Sequence, residues 1–141
     1  MGIRAISICI IENDGKIFVG EGIDEVKGET FYRPLGGGIE FCEMASETVK
    51  REFMEELNTE IEPLAYMHTI ENIFEFNGKK GHEIVVVLKA KFCDEAMYDR
   101  NNIVCNEEGV NFIAKWVSKN EFFNGNKILY PKGLSELLQK S

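Results

Sequence analysis

Residues 37–59 read Gly-Gly-Ile-Glu-Phe-Cys-Glu-Met-Ala-Ser-Glu-Thr-Val-Lys-Arg-Glu-Phe-Met-Glu-Glu-Leu-Asn-Thr, a glycine-led turn that feeds a strongly acidic segment. From Met44 to Leu57 there is no Gly or Pro, and Ala45, Val49, Phe53 and Leu57 recur every fourth residue. That period predicts an amphipathic helix with one buried stripe. Glu52, Glu55 and Glu56 stand beside the stripe, within an arc of roughly 100° at the helical period. Three like charges there oppose helix formation. A divalent cation reverses the sign of that cost, because hard oxygen ligands on adjacent turns are what magnesium, manganese or calcium accept.

Most acidic helices are solvated faces with ordinary Glu/Lys pairing. Here Lys50 and Arg51 are the only Lys or Arg between Arg33 and Lys79, so Arg51 and a bound ion are what remain to neutralise the three glutamates. The spacing runs Gly37, five residues, Glu43, seven residues, Arg51-Glu52, the apolar Phe53, one residue, Glu55-Glu56. This resembles the Nudix box, in which a glycine, a glutamate, Arg-Glu and Glu-Glu stand at the same intervals. The box then closes on a glycine and an aliphatic residue, where this chain has Asn58 and Thr59. Asn tolerates the left-handed backbone of a helix C-cap next best after Gly, so the turn geometry is expected to survive.

The resemblance implies an α/β (α+β) fold, the Nudix-like α/β/α sandwich with a mixed central sheet. It implies a metal-dependent hydrolase acting on phosphoanhydride bonds, with Mg2+ or Mn2+ as cofactor. Catalytic residues carried over are Arg51, Glu52, Glu55 and Glu56. Glu52, Glu55 and Glu56 are the expected metal ligands, with a carbonyl from Gly36 or Gly37. Arg51 matches the box arginine, which orients its neighbouring glutamates, and Glu43 is its expected partner. A further acid from outside the box often joins the site in this family, and Glu83, Glu107 and Glu108 are the candidates. The family also includes homodimers, and members that sense nucleotides after losing catalysis. Those usually break the box glutamates, which here are intact.

Working outward, Gly36, Gly37 and Gly38 read as a turn that lets backbone approach a phosphate or metal closely. Arg33, just upstream, suits bidentate contact with phosphate oxygens and is equally readable as a surface arginine. Further upstream, Ile3 to Ile11 and Lys16 to Gly20 flank Asn13-Asp14-Gly15 and predict a hairpin, and the polar stretch Glu21 to Thr30 predicts a loop. Downstream of the helix, Glu60 to Phe76 and Glu83 to Phe92 predict a second hairpin, its return strand central in a sheet. Phe74 and Phe76 are readable as base-stacking or as packing residues, packing being the commoner use of strand aromatics. Residues 93–109 read as a long loop, Val110 to Val117 as a last strand, Ser118 and Glu121 as a capping box, and Pro131 as the first residue of a helix that docks Leu134, Leu137 and Leu138.

The composition bounds the rest. At 141 residues and 44% hydrophobic, the chain suits one compact domain, 1–141, with a real core. Its net charge of -8 argues against a general nucleic-acid or membrane-surface binder, and an anionic substrate would need local help from a metal and a few arginines; the small-molecule nucleotide expected as partner is what the resemblance implies. No apolar run reaches the length of a membrane span, no signal-peptide layout opens the chain, and a cytoplasmic protein is expected. Cys9, Cys42, Cys93 and Cys105 form no C-x-x-C pair and are expected to be free thiols, and His68 and His82 lack partners at ligand spacing. A nucleoside diphosphate linked to another moiety and a nucleoside triphosphate are both open as substrates. A calcium-stabilised structural domain is the competing reading outside the enzyme class.

Overall fold

The computed structural model describes residues 2–140. Its elements, in order, are β1 (Arg4–Ile10), β2 (Glu12–Asn13), β3 (Lys16–Asp24), β4 (Glu29–Pro34), β5 (Gly36–Gly38), α1 (Ala45–Leu57), β6 (Ile61–Phe76), β7 (Lys79–Phe92), a 3-10 turn at Glu95–Asp99, β8 (Ile103–Glu107), β9 (Val110–Ser118), α2 (Lys119–Phe123) and α3 (Leu134–Lys140).

The alternating isoleucines place β1. Ile6, Ile8 and Ile10 enter one core, Cys9 enters another, and every residue from Ile6 to Ile10 is buried. A strand buried on both faces belongs inside a sheet. β1 lies between β5, antiparallel to it, and β7, parallel to it, and β6 completes a four-stranded mixed sheet in the order β5-β1-β7-β6. The second sheet is antiparallel throughout, in the order β2-β3-β9-β8, with β4 also paired to β3. The α+β class and the mixed sheet hold, and a second sheet accompanies it.

Both sheets feed both cores. On one side Val49 and Phe53 of α1 meet Cys9, Phe18, Phe92 and Trp116 in an aromatic cluster whose ring centroids lie 5.1–6.1 Å apart. On the other, Leu134 and Leu138 of α3 and Phe122 of α2 close over Ile6, Ile8, Val85 and Val87. The stripe Ala45, Val49, Phe53, Leu57 is therefore the packed face of α1, with Ala45 and Leu57 at its half-buried ends.

The structure corrects several local expectations. The Asn13-Asp14-Gly15 turn joins β3 to the two-residue β2, whereas β1 leaves for the other sheet. The pattern specified two β-rich runs and a turn, and nothing in it specified that Ile11 would cross from one sheet to the other. Glu21 to Thr30 is no loop: β3 runs to Asp24 and pairs with β4 around a four-residue connection. Its polar side chains are those of a strand pair with an open face. The Gly36–Gly38 run is an extended strand against Ser7 rather than a turn. Residues 93–109 hold a 3-10 turn and β8, which forms a hairpin with β9 across Glu108-Gly109. Pro131 precedes α3, which starts at Leu134, and the Pro131 carbonyl accepts the Leu134 N–H at 3.2 Å. Ser118 caps α2 through Asn120 N–H, while Glu121 bonds Asn126 instead of closing a capping box. The β6/β7 hairpin around Asn77-Gly78 forms as expected, and β7 is an inner strand.

α1 ends at Asn58, which adopts φ 52° and ψ 43° while its N–H donates to Met54 O at 3.0 Å. This is the left-handed cap that the box glycine ordinarily supplies, and the next residue, Thr59, is buried. Because a residue with a Cβ and no local polar group strains there by about 1–2 kcal/mol, Asn58→Ala is expected to lower stability by about that amount in urea unfolding, whereas Asn58→Gly leaves it unchanged or raises it. Equal midpoints for the two variants would show that the cap carries no such strain.

Candidate active site

The site begins with a guanidinium. Arg51, on the second turn of α1, reaches back to the loop that enters the helix: its Nε and Nη2 donate to the Glu43 carboxylate at 2.8 and 3.0 Å, and Nη2 also donates to Gly38 O at 2.9 Å. Nη1 donates to Glu52 at 3.0 Å and Glu55 at 3.0 Å. One side chain thus joins β5, the entry loop and two turns of helix through the bidentate geometry only arginine offers. Thr48, fully buried, adds a hydroxyl donated to Glu43 at 2.7 Å. Arg51 first and Thr48 next pull the Glu43 carboxyl down to about 2, and these partners hold the guanidinium charged.

Glu52 and Glu56 are four residues apart and face the same way, toward the end of β8. There Glu107 meets them, with one carboxylate oxygen of each within 4.8 Å of the others. Glu56 is only 7% exposed. Burial, then the charges of Glu107 and Glu52, push its carboxyl up to about 9, and burial raises Glu52 as well. These are acids deprived of water and of enough positive charge. Glu55, the third helix carboxylate, is exposed and stays with Arg51, outside the cluster.

The glycine strand forms the wall opposite. A Cβ on Gly36 would strike the backbone of Ser7, and one on Gly37 would strike the Glu52 carboxylate, so β5 can lie between β1 and α1 only without side chains. Gly36, Gly37, Glu56, Glu107 and Glu108 border a groove of about 770 Å³ that also takes in Arg33 and Glu83. Arg33, on β4, is half-buried, and its guanidinium has no partner among the described residues.

Of the sequence candidates, Glu52, Glu56 and Glu107 come together and Glu55 does not. Glu108 sits in the β8/β9 turn with φ 48°, at the rim. Glu83 lies on β7 beside Arg4, 3.7 Å away, at the far side of the groove. His68 is exposed, His82 is half-buried, and neither joins a metal-ligand cluster among the described residues. Thr48 and Asn72 went unnoticed in the sequence. For Thr48 the signal was its position five residues after Glu43 on the buried side of the helix.

The cluster's proton has a measurable consequence. Between the ordinary carboxyl value of 4.5 and about 9, folded Glu56 keeps a proton that the unfolded chain has released. Stability of the metal-free protein should therefore be greatest below about pH 4.5 as far as this group is concerned, and fall as pH rises through about 9, by at most about 1.4 kcal/mol per pH unit for one proton. Urea unfolding from about pH 5 to 9 tests this. Magnesium, which competes with that proton, should flatten the decline. An identical slope with and without magnesium would refute the assignment.

The NUDIX domain model matches residues 1–139. Among solved structures, the chain is similar to a MutT NUDIX hydrolase from Burkholderia pseudomallei, at 20% identity and TM-score 0.66 with 100% of each chain covered. It is similar also to a MutT protein from Methanosarcina mazei Go1, at 15% identity and TM-score 0.67, covering 98% of this chain and 91% of that one. A NUDIX family hydrolase from Clostridium perfringens matches at 19% identity and TM-score 0.63, covering 99% and 96%. At such identities these likenesses speak for the fold, and the domain match speaks for the family. The chain belongs to the Nudix family of phosphoanhydride hydrolases.

Proposed function

We propose that the protein is a pyrophosphohydrolase that depends on Mg2+ or Mn2+ and acts on a small nucleotide, either a nucleoside triphosphate or a nucleoside diphosphate linked to another moiety. The observation that carries this is the convergence of Glu52, Glu56 and Glu107, the last two of which border a groove that Arg33 and aromatic rings also line.

The donor set fits a hard divalent ion. Three carboxylates converge, two of them with acidity weakened by burial, and no imidazole is among them. The nearby Cys105 thiol is pushed up to about 12, by burial first, and stays protonated, so no thiolate competes. Oxygen ligands without nitrogen or sulfur select magnesium or manganese over zinc. Glu52, Glu56 and Glu107 would hold the ion, with Gly36 or Gly37 offering a carbonyl, and Glu55 would join only by leaving Arg51. Such an ion neutralises phosphate oxygens and lowers the pKa of a bound water.

The chain's own groups supply the rest. Arg33 is free to grip a phosphate by its planar fork. Arg51 fixes Glu52 against β5 and beside Glu56 and Glu107, so that carboxylate is held in place at no further entropic cost. In that position Glu52 is the group we assign either to complete the shell around the ion or to take the proton as water oxygen attacks phosphorus and the bridging P–O bond breaks toward the leaving phosphate. The phosphates then lie between an acidic end and a basic side, which orients a polyanion in one direction.

The acidic balance favours a small nucleotide over a nucleic acid, and four free thiols, Cys9, Cys42, Cys93 and Cys105, suit a reducing cytoplasm. Homodimerisation belongs to the proposal only through the family.

The decisive experiment is phosphate-coupled hydrolysis of a nucleotide panel with magnesium or manganese. Glu56→Gln should reduce kcat by at least about a thousandfold, roughly 4 kcal/mol of barrier, while melting at or above the wild-type temperature in chelator. Arg33→Ala should instead raise KM about tenfold with a smaller change in kcat, as loss of a ground-state phosphate contact does. A wild type that binds these ions and nucleotides yet cleaves none would make it a nucleotide-sensing module. Stabilisation by calcium alone, without nucleotide binding, would make the carboxylates structural.

A further inference from the structure

A second cavity, of about 300 Å³, opens from the groove at Arg33 and Glu83 and runs between the two sheets. Its floor is a row across three strands. Arg4 of β1 is in register with Glu83 of β7, which is in register with Asn72 of β6. In the adjacent row Ile6, Val85 and Ile70 carry apolar side chains into the core, so the polar row marks where the core stops.

Two of these polar residues are buried without the partners burial requires. Asn72 is 9% exposed and lines the cavity, and its amide makes no hydrogen bond among the described residues. Glu83 is 5% exposed, and its carboxylate has only Arg4 at 3.7 Å, a distance too long for a hydrogen bond. Leaving such groups unsatisfied is costly, most of all for a charge. No buried polar atom is sealed from solvent without a partner, so both groups keep an opening toward the cavity. Aromatic rings form part of the walls, beside charged residues such as Asp24, Lys27 and Lys132. Phe74 lies across Gly81, where a Cβ would strike its ring, and Phe31 packs edge-on against Phe76 at 5.8 Å. A planar, heteroatom-rich ligand matches slots of this kind.

We propose that this cavity is a guanine pocket, with Glu83 and Asn72 reading the base edge; this rests on the nucleotide reading above. A carboxylate only accepts, so it calls for a ligand edge with donors. Guanine offers two side by side, N1–H and the 2-amino group, flanked by the acceptor O6. Glu83 takes the two donors, and the adjacent Asn72 amide donates to O6. The same row disfavours the other bases: adenine and cytosine place a ring-nitrogen lone pair, and uracil a carbonyl oxygen, against the carboxylate. Arg33 borders both spaces, so a base seated here leaves its phosphates running past Arg33 toward Glu56 and Glu107.

Calorimetric titration with GMP, IMP, AMP, CMP and UMP tests the pocket without turnover, since IMP differs from GMP only in lacking the 2-amino group. GMP should bind at least about tenfold more tightly than IMP and the rest, as sites built to hydrogen-bond a substrate reject analogues that lack the group. Glu83→Gln, nearly isosteric, should shrink the GMP/IMP ratio to about threefold or less. Asn72→Asp should weaken GMP about tenfold or more by setting an acceptor against O6. Equal affinity for GMP and IMP, absence of GMP binding, or a ratio that survives Glu83→Gln would overturn the proposal. Hydrolysis of the corresponding triphosphates separates the two readings. Cleavage of all bases with equal efficiency removes the guanine pocket and keeps the hydrolase. GMP preference without cleavage of any triphosphate keeps the pocket and removes the hydrolase.

Discussion

The site depends on how the charge of Arg51 is distributed. Its guanidinium neutralises Glu43 almost completely, leans on Glu52 and Glu55, and holds a carbonyl of β5. Having given its charge to these groups, it leaves Glu56 and Glu107 with little to offset them. The acidic end of the groove is therefore short of positive charge by construction. Placing the arginine one turn later would bring it nearer Glu56 and relieve the need for a cation. Its actual position stiffens the scaffold and keeps the electrostatic demand where a reaction can use it.

That arrangement constrains the backbone around it. The helix can approach β1 closely enough for Ser7 Oγ to donate to Ala45 O at 3.0 Å only because the strand between the helix carboxylates and β1 is made of glycine. Three residues that read as a flexible turn are fixed in register against Ile6, Ser7 and Ile8. What the glycines contribute is thinness, since none of the three has a positive φ.

Legibility in the sequence followed the range of the interactions. The α1 stripe, the Asn58 cap and the Arg51–Glu43 pair involve residues within a few turns of each other; periodicity exposed the stripe, and the resemblance to the box exposed the cap and the pair. Glu107 was visible only as one of three acids, because its approach to Glu56 depends on the β8/β9 hairpin, and β8 was hidden in a stretch whose polar residues resembled a loop. The crossing of the chain between sheets at Ile11 was invisible, since β1 and β3 carry the same apolar pattern whether they pair or not. Asn72 was unreadable for a different reason. Its importance comes from facing Glu83 across a ladder, and strand register cannot be read from a sixteen-residue strand with two bulges.

The distance along the chain between Glu56 and Glu107 bears on how the protein matures. The helix that carries Glu56 and the hairpin that carries Glu107 lie in different halves of the chain, separated by β6, β7 and a 3-10 turn. The helix forms from local contacts, whereas the hairpin belongs to the second sheet and is anchored there by the pairing of β9 with the distant β3. A chain emerging from the ribosome would hold the box glutamates long before it held their third partner. On the metal reading proposed above, the full carboxylate cluster is assembled late in folding, and an unfinished chain carries the motif without the cluster.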